Sequence, residues 1–423
     1  MLIKNSAELG STELRRQALR ILGVGLAAAS PETVIRRNVS WEGGALKVAG
    51  ESLPIEEGGR LFVFAFGKCA LSSALVLEDI LSERISGGAA LDIRPGGLKY
   101  LKYHLGDHPF PTERNIAATH EILEALRGLT EKDLVLFIIS GGGSTLLCQP
   151  QGIGVEEEVA LVESLFRSGA VITELNTVRK HLSSARGGYL AKEAYPAHVV
   201  SLIFSDVPGD DIGFVSSGPT VKDETTVSDA HAILAKYGIS LPESGIMETP
   251  KEEKYFEKIK NILIASNRIS LEAMSRAAEE VNLKPNIVTA ALQGEARDVG
   301  RAIAEELHSV APGTVNLYAG ETTVTIKNDG RGGRNQELVL GAVEEVRKGE
   351  LIASVASDGR DNGDHAGALC DIITREKSVV LNLNTSDYLT RNDSYNFFRA
   401  TKDYLDTGPT GANLSDLMIA IKS

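Results

Sequence analysis

Three loops of this chain carry residues whose types and spacing suit anion and proton chemistry. Ser140-Gly141-Gly142-Gly143-Ser144-Thr145 follows the apolar run Leu134 to Ile139. Three glycines let backbone N–H groups turn toward a phosphate or carboxylate, and the helix expected next adds its positive end. A flexible turn is the competing reading. Lys68 follows the apolar run Leu61 to Phe66 and Gly67, and it opens a helix predicted over Lys68 to Leu81. The amino end of a helix is already positive, so a cation there implies something negative nearby, unless it is only a solvated surface lysine. Ser205-Asp206-Val207-Pro208-Gly209-Asp210-Asp211 follows Val199 to Phe204. Carboxylates there can hold Mg2+ or act as a general base. Turn and cap chemistry explains Asp210 and Asp211 equally well. Asp206, directly after the strand, is placed for a ligand crevice.

Further segments repeat the theme. In Asn176 to Arg186, Leu175, Val178 and Leu182 share one helical face, while Arg179, Ser183 and Arg186 share another that suits a phosphate or carboxylate, or plain solvent. Glycine-rich loops with carboxylates recur at Gly320-Glu321-Thr322, at Gly332 to Glu337 and at Ser357 to Asp364. Nucleotide-phosphate and magnesium binding competes there with ordinary turn chemistry. The last loop is no EF-hand, because the twelfth position from Asp358 is Leu369. His104 and His108 are separated by Gly106, which argues against a helical metal site, and they read as structural. Neither the P-loop pattern nor Gly-x-Gly-x-x-Gly after a strand occurs.

The elements that must position these loops alternate in kind. Short apolar runs bounded by glycine are interleaved with amphipathic stretches, the pattern of an α/β protein with a largely parallel sheet, in which ligands bind at the carboxyl ends of strands. Polar residues 239–259 suggest a boundary, giving domains 1–238 and 239–423. Strands are expected again at Ile262 to Ala265, Asn286 to Leu292, Val315 to Ala319, Thr322 to Ile326 and Ile352 to Ala356, with helices over Glu295 to Leu307 and Asn335 to Arg347. Only Gly320-Glu321 separates Val315 to Ala319 from Thr322 to Ile326, which predicts a hairpin and a mixed second sheet. With 44 basic and 57 acidic side chains the formal net charge is −13, which argues against nucleic acid and anionic membranes as partners. Cys69, Cys148 and Cys370 lack metal or dithiol spacing and fit reduced thiols in cytoplasm. Leu14 to Ser30 has apolar residues at helical spacing and reads as a helix of the fold, not a secretory signal.

Taken in order, Phe66-Gly67-Lys68, Gly106-Asp107-His108-Pro109, Ser140 to Ser144, Asn176 to Ser183, Ser205 to Asp210, Ser217-Gly218-Pro219-Thr220, Gly333 to Glu337, Asn392-Asp393-Ser394-Tyr395 and Thr407 to Gly411 resemble the class II glycerate kinases over nearly the whole chain. The resemblance implies a larger Rossmann-like parallel-sheet domain and a smaller mixed-sheet α/β domain carrying a MOFRL region at about 312–420, with the active site in the cleft between domains. It implies ATP-dependent phosphorylation of D-glycerate at the 2-hydroxyl, or in some members the 3-hydroxyl, with ATP and Mg2+ as cofactors. Lys68 and Asp206 match the catalytic lysine and aspartate. Substrate binding is expected of Lys68, Arg179 and Ser144. The nucleotide is expected at Ser140, Gly141, Gly142, Gly143, Ser144, Lys180, Glu321, Asn335, Gln336 and Glu337, and the metal at Asp206 and Asp358. A homo-oligomer such as a dimer is left open. A hydroxypyruvate reductase and a noncatalytic organic-acid sensor are the rival readings.

Overall fold

The computed structural model describes residues 2–207, 209–240 and 245–423, so Pro208 of the aspartate loop and residues 241–244 of the polar segment lie outside the described residues. The chain forms two compact units, one of residues 34–264 and one that combines residues 1–33 with 265–423.

The unit of residues 34–264 opens with a three-stranded antiparallel sheet, β1 (Val39–Glu42), β2 (Ala45–Val48) and β3 (Glu51–Pro54). Its main sheet contains β4 (Leu61–Phe66), β5 (Ile85–Asp92), β6 (Lys102–Leu105), β7 (Leu134–Ile139), β8 (His198–Ser205) and β9 (Ile259–Ser266), in the order β6-β5-β4-β7-β8-β9. The ladders from β6 to β8 are parallel. Every residue of β7 is buried, as expected of a strand covered on both faces. Renumbered from β4, the order is 3-2-1-4-5-6, that of a doubly wound sheet whose connections reverse between the first and fourth strands. The switch point therefore lies between β4 and β7, where Gly67-Lys68 and Ser140 to Ser144 emerge.

The second unit has a six-stranded sheet of β10 (Lys284–Leu292), β11 (Thr314–Gly320), β12 (Glu350–Val355), β13 (Gly367–Asp371), β14 (Tyr404–Leu405) and β15 (Asp416–Lys422), in the order β10-β11-β15-β12-β13-β14. β10 and β11 are parallel and the other pairs antiparallel, so the sheet is mixed as expected. The expected hairpin is not formed. β15, almost a hundred residues further along, takes the edge of β11 opposite β10, and Thr322 to Ile326 runs as a loop with a single parallel bridge from Thr323 to Glu295.

Alternation along the strands explains the layers. Leu417, Ile419 and Ile421 pack on one face with Leu19, Leu22 and Leu26 of the helix Glu13–Ala29, whereas Met418 and Ala420 face the helices Ala296–Leu307 and Arg334–Ala342. The amino-terminal helix thus supplies one wall of the second unit's core. Arg15, 2% exposed, anchors it by donating to both carboxylate oxygens of Asp371 (2.7 and 2.6 Å) and to Asp403 (2.8 Å). This corrects the boundary expected at 238/239. The break falls at 264/265 because the polar segment is followed by β9, which completes the first unit's sheet. Among the described residues no single helix is long and apolar enough to cross a membrane.

Candidate active site

Lys68 is held by its backbone. Its N–H donates to Gly141 O (2.9 Å), and its carbonyl accepts from Arg94 (2.8 Å), whose guanidinium is paired with the fully buried Asp92 (2.9 Å). Asp92 also accepts from the Leu71 N–H at the start of the helix Ala70–Leu81. The predicted helix therefore begins two residues later than expected, leaving Lys68 on the loop. Its aliphatic stem lies across Gly142. A Cβ on that glycine would stand 3.1 Å from Lys68 Cγ and 3.2 Å from Cε, and φ at Gly142 is +84°. Gly143 is equally constrained, since a Cβ there would meet Ser216 Oγ at 2.1 Å. Among the described residues Lys68 makes no ion pair.

Ser216 and Ser217 complete the floor. Both have left-handed backbones, with φ of 53° and 59°, a strained conformation that surrounding contacts must hold. Ser216 donates to Ser140 O (2.7 Å), and Ser217 donates to Asn176 Oδ1 (2.9 Å) and lies 2.9 Å from Ser144 Oγ. Ser140 Oγ accepts from the Cys69 N–H (3.1 Å), so the Ser140 loop is tied to both flanking loops. The helix after the glycines, Gly143–Leu146, is a single turn. The helix-dipole assistance expected there is accordingly absent, and the cradle is built by loop packing.

Asp206 lies at the carboxyl end of β8, half-buried, and its charge reaches the buried Cys69 thiol, which burial first and Asp92 and Asp206 in addition push up to about 12. β8 is two strands from β4. At the usual spacing their ends stand about 10 Å apart, a span suited to a small acid with a phosphoryl group. Asp211 Oδ1 accepts from the Gly213 N–H (2.9 Å), a bond of the turn.

His108 lies within reach of the charges of both Lys68 and Arg179. Burial, then the charges of Lys68 and Arg179, hold the His108 imidazole below its ordinary range, so the expected structural histidine sits beside the cations. Burial and the neighbouring Arg186 push Arg179 down to about 10. The expected shared helical face of Arg179, Ser183 and Arg186 is not formed. The helix Ile172–Leu182 ends before Ser183, whose backbone is extended and bridged to Pro150. Arg186 still reaches Arg179, along the chain beyond the helix, and donates to Glu158 (2.6 Å). Glu158, Asp92, Arg94 and Ser216 escaped sequence reasoning. Asp92 carried the same signal as Asp206, a carboxylate at the end of an apolar strand, whereas Glu158 sits in the acidic run Glu156-Glu157-Glu158 and gave none.

Other expected nucleotide contacts are turned inward. Lys180, 7% exposed, is paired with Asp223 (3.1 Å). In the second unit, taken by itself, the N–H groups and side-chain amides of Asn335 and Gln336 all donate to Asp361. Glu337 is buried against Arg297 and Asn392. These three residues close their own loop. Glu321 is exposed and paired with Arg334 (3.2 Å). Asp358 is exposed, with Oδ1 accepting from the Arg360 N–H (2.9 Å). Among the described residues no three His, Cys, Asp or Glu side chains gather as a metal site.

Fold and loops define a doubly wound α/β protein with a cationic, glycine-lined site at its switch point. Residues 17–248 match a domain of unknown function, DUF4147, and residues 314–416 match the MOFRL family. The chain belongs to the glycerate kinase family that joins these two domains. It is 38% identical to a glycerate 2-kinase of Pyrococcus horikoshii, over 97% of both chains. It is also 38% identical to a putative hydroxypyruvate reductase of Agrobacterium vitis, over 95% of this chain and 93% of that one. The crystal structure of a glycerate kinase from Thermotoga maritima superposes with a TM-score of 0.85 at 32% identity, covering 96% of this chain and 99% of that one.

Proposed function

We propose that the protein is a cytoplasmic glycerate 2-kinase that transfers the terminal phosphoryl group of ATP to the 2-hydroxyl of D-glycerate, using the Rossmann-like first unit as its catalytic platform. The observation that carries this reading is Lys68 laid across Gly142 at the switch point, where its charge and that of Arg179 both act on His108, in a chain whose full-length relatives include glycerate 2-kinases. A phosphoryl group in flight spreads negative charge over its oxygens, and fixed cations that meet that charge do most of the catalysis. Lys68 is suited to this because its backbone is pinned at both N–H and C=O while its ammonium makes no ion pair among the described residues. Asp206 orients or deprotonates the attacking hydroxyl. Arg179 and Ser144 hold the acid, and the Ser140 to Ser144 loop takes the phosphates.

Mg2+ bound with a nucleotide asks for only one or two protein carboxylates. Asp206, at the end of β8 in the first unit, meets that donor requirement, and the ion would neutralise phosphate charge. The reductase name of one relative finds no counterpart in the loop after β4, where Gly67-Lys68-Cys69 stands in place of a dinucleotide fingerprint. Incubation with D-glycerate, ATP and Mg2+ is expected to yield ADP and 2-phosphoglycerate, identified by phosphorus NMR. A product phosphorylated at the 3-position would correct the regiochemistry. Oxidation of NADH by hydroxypyruvate without any ADP formation would replace the kinase by the reductase.

A further inference from the structure

At Ser144, the end of the glycine loop, lies a narrow pocket of about 10 Å3 lined by Arg179, Arg186, Glu158, Ser144, Phe110 and Val162. Its charges do not balance. Arg186 is 0% and Glu158 1% exposed, and they form one ion pair at 2.6 Å. Arg179 adds a second, half-buried guanidinium that among the described residues has no carboxylate of its own. The Cys148 thiol, which donates to Glu158 (3.5 Å), is pushed up to about 12 by burial and supplies no negative charge. His108, held below its ordinary range, adds none either. Two buried donors are also left over: among the described residues neither Arg186 Nη2 nor Arg179 Nε has a hydrogen-bond partner. Arg186 spends its other nitrogens on Leu147 O (3.0 Å), Glu158 and Arg179 O (3.4 Å). A buried cation without a counterion and a buried N–H without an acceptor are each strongly unfavourable. A site that retains both is built for an anion that comes and goes.

We infer that Arg179 and Arg186 form a clamp for the carboxylate of the acceptor acid, with Glu158 fixing Arg186 in place, so that Lys68 is left to the phosphoryl group. This rests on the kinase reading and deepens it by dividing two anionic groups between two cationic subsites. The excess charge of the two arginines and Glu158 is a single positive one, which matches a monocarboxylate, and two free guanidinium donors match its two oxygens. Ser144, hydrogen-bonded to Ser217, stands at the junction of the clamp with the glycine loop. Glu158 and Arg186 are thereby positioning and binding residues, respectively, for the acid's charged end.

Calorimetric titration with D-glycerate, with its neutral analogue D-glyceramide and with inorganic phosphate tests the clamp. The native protein is expected to bind glycerate and to discriminate against the amide by about 10²-fold or more. Arg179→Met is expected to weaken glycerate binding by roughly 10- to 100-fold, the size of a lost hydrogen-bonded charge, and to collapse that discrimination. Arg186→Met alone would strand the buried Glu158, so it is combined with Glu158→Gln, and the double variant, once shown by circular dichroism to be folded, is expected to lose glycerate affinity to a similar degree. Retained glycerate affinity in the folded double variant would overturn the clamp by making Arg186 purely structural. Collapse of the discrimination in Lys68→Met but not in Arg179→Met would overturn it by moving the carboxylate to the lysine. Tighter binding of phosphate than of glycerate, abolished by Arg179→Met, would overturn the choice of a carboxylate. Failure of the kinase reading is distinguishable, since it would leave arginine-dependent glycerate binding with no ADP formed.

Discussion

Gly142→Ala tests whether the glycine loop works through Lys68. The substitution adds one methyl group in a place where two effects can be separated. At φ +84° the backbone is left-handed, which costs an alanine about 1–2 kcal/mol. For a unit of this size that should lower the melting midpoint by about 2–8 °C. The new Cβ would also stand 3.1, 3.2 and 3.5 Å from Cγ, Cε and Cδ of Lys68, so the stem must shift by a few tenths of an ångström. A misplacement of about 1 Å can lower turnover roughly 10²-fold, so this smaller shift is expected to lower kcat about tenfold. Lys68→Met should lower kcat by roughly 10²-fold or more, comparable to removing one fixed charge-stabilising group. Because both act on one ammonium, the double variant should turn over no more slowly than Lys68→Met alone, a coupling of about 1.4 kcal/mol. ADP release at saturating ATP and glycerate measures kcat, and scanning fluorimetry measures the midpoint. A full further tenfold loss in the Lys68→Met background would refute the reasoning and show that the loop acts directly on the phosphates.

Asp206→Asn should leave the fold and glycerate binding intact while lowering kcat by roughly 10²-fold or more, because the amide cannot accept the hydroxyl proton; calorimetry and steady-state kinetics on the same preparation check this, and near-native turnover would remove Asp206 from the mechanism. Folding lowers the His108 pKa below its ordinary 6.5. The neutral ring's contribution to stability is therefore present above pH 6.5 and is lost as pH falls through the folded value. A bound carboxylate offsets the Lys68 and Arg179 charges, so saturating D-glycerate should move the His108 titration midpoint upward in an NMR titration. A downward or absent shift would place the acid's charge elsewhere.

The parts of this fold that could be read from sequence are those fixed by local burial. β4 and β7 were delimited to the residue because each is an apolar run closed by glycine or serine at the point where the sheet stops covering it. Thr322 to Ile326 has equally good β-branched composition yet forms no ladder, because pairing is decided by competition for an edge and β15 wins it from residues 416–422. The site divides in the same way. Lys68, Ser140 to Ser144 and Asp206 were visible because they follow strands. The helical face expected to join Arg186 to Arg179 ends at Leu182, and the chain beyond the helix brings the two together instead. Asn335, Gln336 and Glu337 looked ligand-facing because polar residues beside glycines usually are. Asp361, twenty-five residues on, turns the first two inward and satisfies four donors at once.

The tie between Arg15 and the pair Asp371 and Asp403 spans 356 and 388 residues, which gives the chain an order of events during synthesis. The helix Glu13–Ala29 is made long before the carboxylates that neutralise its arginine and the strands that cover Leu19, Leu22 and Leu26. At about 5–20 residues per second this delay is roughly 20–70 s. Residues 34–264 hold a complete sheet and are finished well before then. The enzyme is thus assembled as a parenthesis, with an inner clause that can close early and an outer one that stays open until the final strand. Until then the apolar face of this helix and its buried arginine lack the partners that cover and neutralise them.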